Sequence, residues 1–177
     1  VRYKKILVAL DRSPQSDAVF EQALELAKKE EATLMLFHCL LFETPGIGTY
    51  ADIYGKELIN FSHEMSQLLK QESREARAWL MDYSQKAIEQ GILAEWDLKV
   101  GDAGSQIRDL AMAWSADLVV VGRRGRRGLS EVLLGSISSY VVHHAPCSVL
   151  VIQGVSPKLE DTPAVNTARI SSKPKMR

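Results

Sequence analysis

The chain has 177 residues, 46% of them apolar, which suits one domain with an ordinary core followed by a tail. Lys plus Arg and Asp plus Glu both number 22, so the overall field steers the chain neither to nucleic acid nor to an anionic membrane. No apolar run approaches the roughly 20 residues that cross a bilayer, and VRYKKILVAL leads into a polar turn rather than a cleavage site, so a cytoplasmic location is expected.

Ile6 to Leu10 (ILVAL) is a continuous aliphatic run of strand length, predicting a strand covered on both faces that stops at Asp11. Ser13 as N-cap with Pro14 at the first helical position opens a helix, with apolar residues at 19, 20, 23, 24, 26 and 27. Ala32 to Leu41 is a second buried strand. Pro45, Gly46, Gly48 and Gly55 then mark a loop, long for this class, reaching from Leu41 to about Asn60. From Phe61 to Gln90 apolar residues recur every three or four positions, predicting a long amphipathic helix stopped by Gly91.

Leu93 to Val100 alternates, with Ala94, Trp96, Leu98 and Val100 on one face, as in a half-exposed edge strand. Ser105 to Ala116 puts Ile107, Leu110, Ala111 and Trp114 on one helical stripe, and Asp117 to Val121 is a further buried strand. Gly135 to Ala145 reads as a helix and Cys147 to Ile152 as the last strand, after the helix-stopping Pro146. Five strands alternating with four helices predict an α/β fold: a three-layer, doubly wound, Rossmann-like parallel sheet of order 3-2-1-4-5 over residues 1–152. Residues 153–177 turn polar and read as a flexible tail.

The segment GRRGRRGLSEVLLGS begins where the fourth strand ends and has the spacing G-x2-G-x9-G-S, from Gly122 and Gly125 to Gly135 and Ser136. Side chains absent at Gly122 and Gly125 let backbone N–H groups approach a polyphosphate. Gly135 and Ser136 open a helix whose free N–H groups and dipole attract anions. In the expected strand order, Asp11 and Gly122 end neighbouring strands at the topological switch, where ligands bind beyond the carboxyl ends. Asp11 repels phosphate, so sugar hydroxyls, a base edge or a water-bridged cation are its partners.

With these residues in place the chain resembles the ATP-binding branch of the universal stress protein family. The likeness runs from about Lys5 to Ile152 through ILVALDRSPQS, His38-Cys39, VGDAG, VVGRRG…LLGS and HAPCSVLVI. It implies ATP, or ADP or AMP, bound with Mg or Mn, the adenine meeting the main chain at Cys39. Ala9 and Asp11, with Ser13 nearby, would line base and ribose, and Val121 and Gly122 the ribose. Arg124, Gly125, Gly135, Ser136 and Ile137 would line the phosphates. It also implies a homodimer paired through the last strand, Cys147 to Ile152, and an unidentified regulatory protein partner. Arg123 stands where many members carry Ser or Thr.

Arg123, Arg124, Arg126 and Arg127 read as a solvated turn with one or two phosphate contacts. No aromatic residue interleaves with them, so nucleic acid is not indicated. Adjacent His143 and His144 point about 100° apart on a helix and are poorly spaced for a metal. Cys39 and Cys147 lack ligand spacing and read as buried apolar residues, and Trp79, Trp96 and Trp114 as core. There is no GxxxxGK[ST], GxSxG or HExxH motif, and no catalytic set is assigned. A nucleotide-dependent regulator or sensor in the stress response is the expectation. A slow Mg-dependent ATPase and a nucleotide-free dimeric interaction module are the rivals.

Overall fold

The computed structural model describes residues 2–40, 55–123 and 134–153, and for 55–64 the backbone only. The elements are β1 (Lys5–Ala9), α1 (Ser16–Glu30), β2 (Thr33–Leu40), α2 (Gly55–Glu89), β3 (Ala94–Val100), α3 (Ala103–Ala113), β4 (Leu118–Gly122), α4 (Ser136–His144) and β5 (Ser148–Ile152). All four strand pairings are parallel, in the order β3-β2-β1-β4-β5, as the alternation of elements requires.

Because the side-chain period of a strand is two, each central strand feeds two cores. Ile6, Val8, Leu34, Leu36, Leu118 and Val120 pack with α1 and α2 on one face. Leu7, Met35, Phe37, Val119 and Val121 pack with α3 and α4 on the other. β3 and β5 are the edges, and both are only partly covered. Val100, expected inward, is exposed at the end of the edge strand β3. Trp79, Trp96 and Trp114 sit half-buried at the borders of the cores rather than within them, Trp114 lying under the Lys5 ammonium.

Two helix starts differ from expectation. Ser13 is not the N-cap of α1; Gln15 is, and it makes no side-chain cap bond. The Ser13 hydroxyl instead accepts from Gln15 N–H (3.3 Å), and Ser16 N–H bonds to Ser13 O (3.0 Å), with Pro14 inside that turn. Short polar side chains thus take the backbone groups that an earlier helical turn would use. α2 begins at Gly55, several residues before Phe61, and at 35 residues is about 52 Å long. Its stop is as expected: Gly91 adopts φ +81°, Gly91 N–H bonds to Ile88 O and Ile92 N–H to Ala87 O, which closes the helix end in a Schellman motif. The remaining residues of the expected 41–60 loop, and the expected tail beyond 153, lie outside the described residues.

α3 is capped by Asp102, whose carboxylate accepts from Ser105 N–H at 2.8 Å. That bond, with the Ser105 hydroxyl adding to it, holds the Asp102 carboxyl below its usual range. α3 and α4 pack closely enough that a Cβ on Gly104 would fall 2.7 Å from a ring carbon of Tyr140.

Candidate nucleotide-binding site

The carboxyl ends of β1, β2 and β4 meet on one side of the sheet, and β1 sits between the strand that follows it in the chain and β4, so the switch crevice opens between β1 and β4. Ala9 lies level with Val121 and with Phe37, which sets Asp11, Cys39 and Gly122 just past those positions. Ala9, Cys39, Val121 and Ile137 all pack on the α3/α4 face, so four of the residues singled out from sequence converge there.

Asp11 is held by its own neighbours. Its Oδ1 accepts from Ser13 N–H (3.0 Å) and from the buried Ser16 hydroxyl (3.3 Å), leaving Oδ2 without a partner among the described residues. Ser13 therefore meets Asp11 through its peptide N–H rather than its hydroxyl. The next residue, Arg12, has φ +60° and carries its guanidinium over the Trp79 ring at 5.9 Å.

Cys39 is half-buried rather than buried. Burial, with the Asp102 charge adding to it, pushes its thiol up to about 11, which keeps it protonated at neutral pH, and the sulfur lies 3.4 Å from Gly101 O. Cys147 is half-buried too, and burial likewise raises its thiol. The main chain at Cys39 matters more. Odd-numbered residues of β2 bond toward β1, as Thr33 N–H to Lys4 O and Leu10 N–H to Phe37 O show, so Cys39 N–H faces the end of β1. It finds no acceptor among the described residues. On the other side of β1, Asp117 N–H reaches Lys5 O but Asp11 N–H meets no acceptor among the described residues.

The glycine segment is tied where it leaves and where it returns. Arg123 N–H bonds to Ile152 O (2.7 Å), Arg123 O accepts from Gly135 N–H (2.9 Å), and the buried Ser138 hydroxyl donates to Gly122 O. One expectation needs correcting: Gly135 N–H is spent on Arg123 and is not free for an anion, and at φ −60°, ψ 154° its backbone is open to any residue. Among the described residues, the N–H groups of Ser136, Ile137 and Ser138, the first turn of α4, meet no acceptor. Arg124 and Gly125, with Arg126 and Arg127, lie outside the described residues.

The profile of the Universal stress protein family matches residues 2–153. This chain belongs to the universal stress protein family. It is 49% identical over 151 residues to the universal stress protein Sll1388 of Synechocystis sp., covering 85% of this chain and 98% of that one. Among solved structures, universal stress protein UspA from Lactobacillus plantarum superposes with a TM-score of 0.71 at 28% identity, covering 86% of this chain and 99% of the other. The universal stress protein from Archaeoglobus fulgidus, solved in complex with dAMP, matches with a TM-score of 0.57 at 23% identity, covering 86% and 99%. That last likeness speaks for the fold. Among the described residues no helix is long and apolar enough to cross a membrane.

Sequence reasoning passed over Ser16, Ser138 and His38. Ser16 and Ser138 carry no motif, because each acts through a bond to a residue that only the fold brings near. His38 was visible as part of the family likeness, but its spacing said nothing of its partner.

Proposed function

We propose that this universal stress protein binds an adenine nucleotide, ATP or its products ADP and AMP, in the crevice between β1 and β4, and that occupancy changes the surface offered to a regulatory protein in the stress response. The observation that carries this reading is the set of main-chain N–H groups around one crevice that meet no acceptor among the described residues: Asp11 and Cys39 at strand ends, and Ser136, Ile137 and Ser138 at a helix N-terminus. Neutral donors at Cys39 suit a purine edge, whereas the first turn of α4 suits phosphate. The Archaeoglobus relative that holds dAMP supports the same ligand class. Asp11 Oδ2 is suited to a ribose hydroxyl, or through water to the Mg or Mn that accompanies a triphosphate. Ala9 and Val121 supply apolar wall, Gly122 leaves room at the ribose, and Arg124 and Gly125 extend the phosphate cradle. Two copies pair through β5, whose Val149, Leu150, Val151 and Ile152 are only partly covered.

Mass spectrometry of the small molecule released from denatured protein should find an adenine nucleotide, and calorimetry should give stoichiometric ATP binding. Gly135→Val is the directed test, because φ −60°, ψ 154° is backbone that a β-branched residue adopts, and the position stands immediately before the first turn of α4. The variant should keep its circular dichroism and lose ATP. ATP binding equal to the parent's would refute the site.

A further inference from the structure

We infer that His38 is a positioning residue for the base and ribose end of this site, because its imidazole takes the Leu10 carbonyl that would otherwise occupy Cys39 N–H. This rests on the nucleotide reading above.

A parallel ladder has a fixed rhythm, and that rhythm makes the substitution visible. With Ala9 level with Phe37 and Leu10 N–H on Phe37 O, the next bond of a continuing β1–β2 ladder would run from Cys39 N–H to Leu10 O. That bond is absent among the described residues. Leu10 O instead lies 2.7 Å from His38 Nδ1. A carbonyl only accepts, so Nδ1 carries the proton and donates. The ladder therefore ends early, and a side chain replaces the peptide donor.

One donor is thereby released to the crevice, and a second stands beside it. Cys39 N–H loses its regular acceptor while still facing the β1 side. In a trans peptide the C=O and the following N–H point in opposite directions, so with Leu10 O held on the β2 side by His38, Asp11 N–H keeps the direction toward β4 that a continuing strand would give it. The ring itself is fixed: His38 is 2% exposed, and Trp79 meets it edge to face at 5.4 Å and 72°. Trp79 is in turn held by Tyr83 at 5.0 Å and lies under Arg12, the residue after Asp11. The stretch Leu10 to Arg12 is thus fastened twice from the α2 side, while Asp11 keeps one carboxylate oxygen open.

The ligand class this predicts is a nucleoside: a group with acceptors on its base and ribose, whose capture does not depend on phosphate. Adenosine is therefore the probe alongside ATP. His38→Leu fills the space without a donor, and His38→Asn places an amide N–H close to where Nδ1 stands. By calorimetry His38→Leu should weaken adenosine and ATP by a similar factor, about tenfold for one or two lost hydrogen bonds. His38→Asn should recover most of it even where both variants melt below the parent, a recovery that a purely structural role would not produce. In the parent, the amide resonances of Asp11 and Cys39 should both move on adding adenosine.

His38→Leu binding adenosine within twofold of the parent overturns the inference, as does His38→Asn performing no better than His38→Leu. Should His38→Leu fail to fold, the parent's amides decide: unmoved Asp11 and Cys39 resonances at saturating adenosine refute the role. A parent that binds neither adenosine nor ATP would instead overturn the nucleotide reading itself.

Discussion

Gly104→Ala tests how closely α4 must lie on α3 for the site to form. An added Cβ would sit 2.7 Å from Tyr140 Cδ1, 3.0 Å from Cγ and 3.3 Å from Cβ. These are atoms near the root of the side chain, so the ring cannot swing clear, and α4 must retreat to restore the ~3.5 Å of ordinary carbon contact. Retreat also strains the Arg108 Nη1 bond to the Tyr140 hydroxyl (2.9 Å) and the stack of Tyr140 on His144 (4.1 Å). Overpacking of this kind costs about 1–3 kcal/mol. Replacing glycine in a helix returns up to about 1 kcal/mol, and less in the first turn, where Gly104 stands. The balance is a loss of about 1 kcal/mol, or roughly 2–4 °C in Tm. ATP should bind more weakly as well, because the displaced helix carries Ser136 and Ile137. Thermal and urea denaturation of Gly104→Ala, Tyr140→Ala and the double variant form the assay. In the Tyr140→Ala background Gly104→Ala should be neutral or stabilising, giving an interaction energy of about 1–2 kcal/mol. A Gly104→Ala protein more stable than the parent, or an equal loss in both backgrounds, refutes the reasoning.

Asp102→Ala should cost about 1 kcal/mol by removing the α3 cap. Because Ser105 holds the Asp102 carboxyl below its usual range, the cap contributes fully above the unfolded carboxyl range and is lost as pH falls through the folded value; denaturation midpoints of parent and variant should converge in acid. A gap unchanged with pH contradicts this. Cys39, pushed up to about 11 from an ordinary 9.0, should react with iodoacetamide near pH 8 about 100-fold more slowly than a free thiol, and labelling at the free rate would contradict its burial. Leu150→Glu on the open β5 edge should convert a dimer to a monomer in analytical ultracentrifugation, and an unchanged mass would exclude pairing through this strand.

Most of the fold was legible because strands and helices announce themselves locally. The aliphatic run Ile6 to Leu10 is a buried strand wherever it is placed, Gly91 stops α2 by adopting a positive φ, and five strands alternating with four helices leave few topologies. The candidate site was legible in part, because Asp11 and Gly122 fall at strand ends whose adjacency follows from the strand order. Ser13 was misread as a cap since the sequence shows a suitable residue type but not the competing bonds that it donates to Asp11 and accepts from Gln15.

By itself, then, the amino-acid sequence determined the elements, their order and the family, all of which rest on periodicity and on residue types near one another in the chain. Tertiary structure alone decided which peptide groups stay unspent. Gly135 N–H is taken by Arg123 O, Leu10 O is taken by His38 rather than by Cys39, and Gly104 matters because Tyr140 lies against it. Each is a pairing between residues far apart in sequence, and a hydrogen bond acts over about 3 Å, so only the register of strands and the seating of helices determines who meets whom.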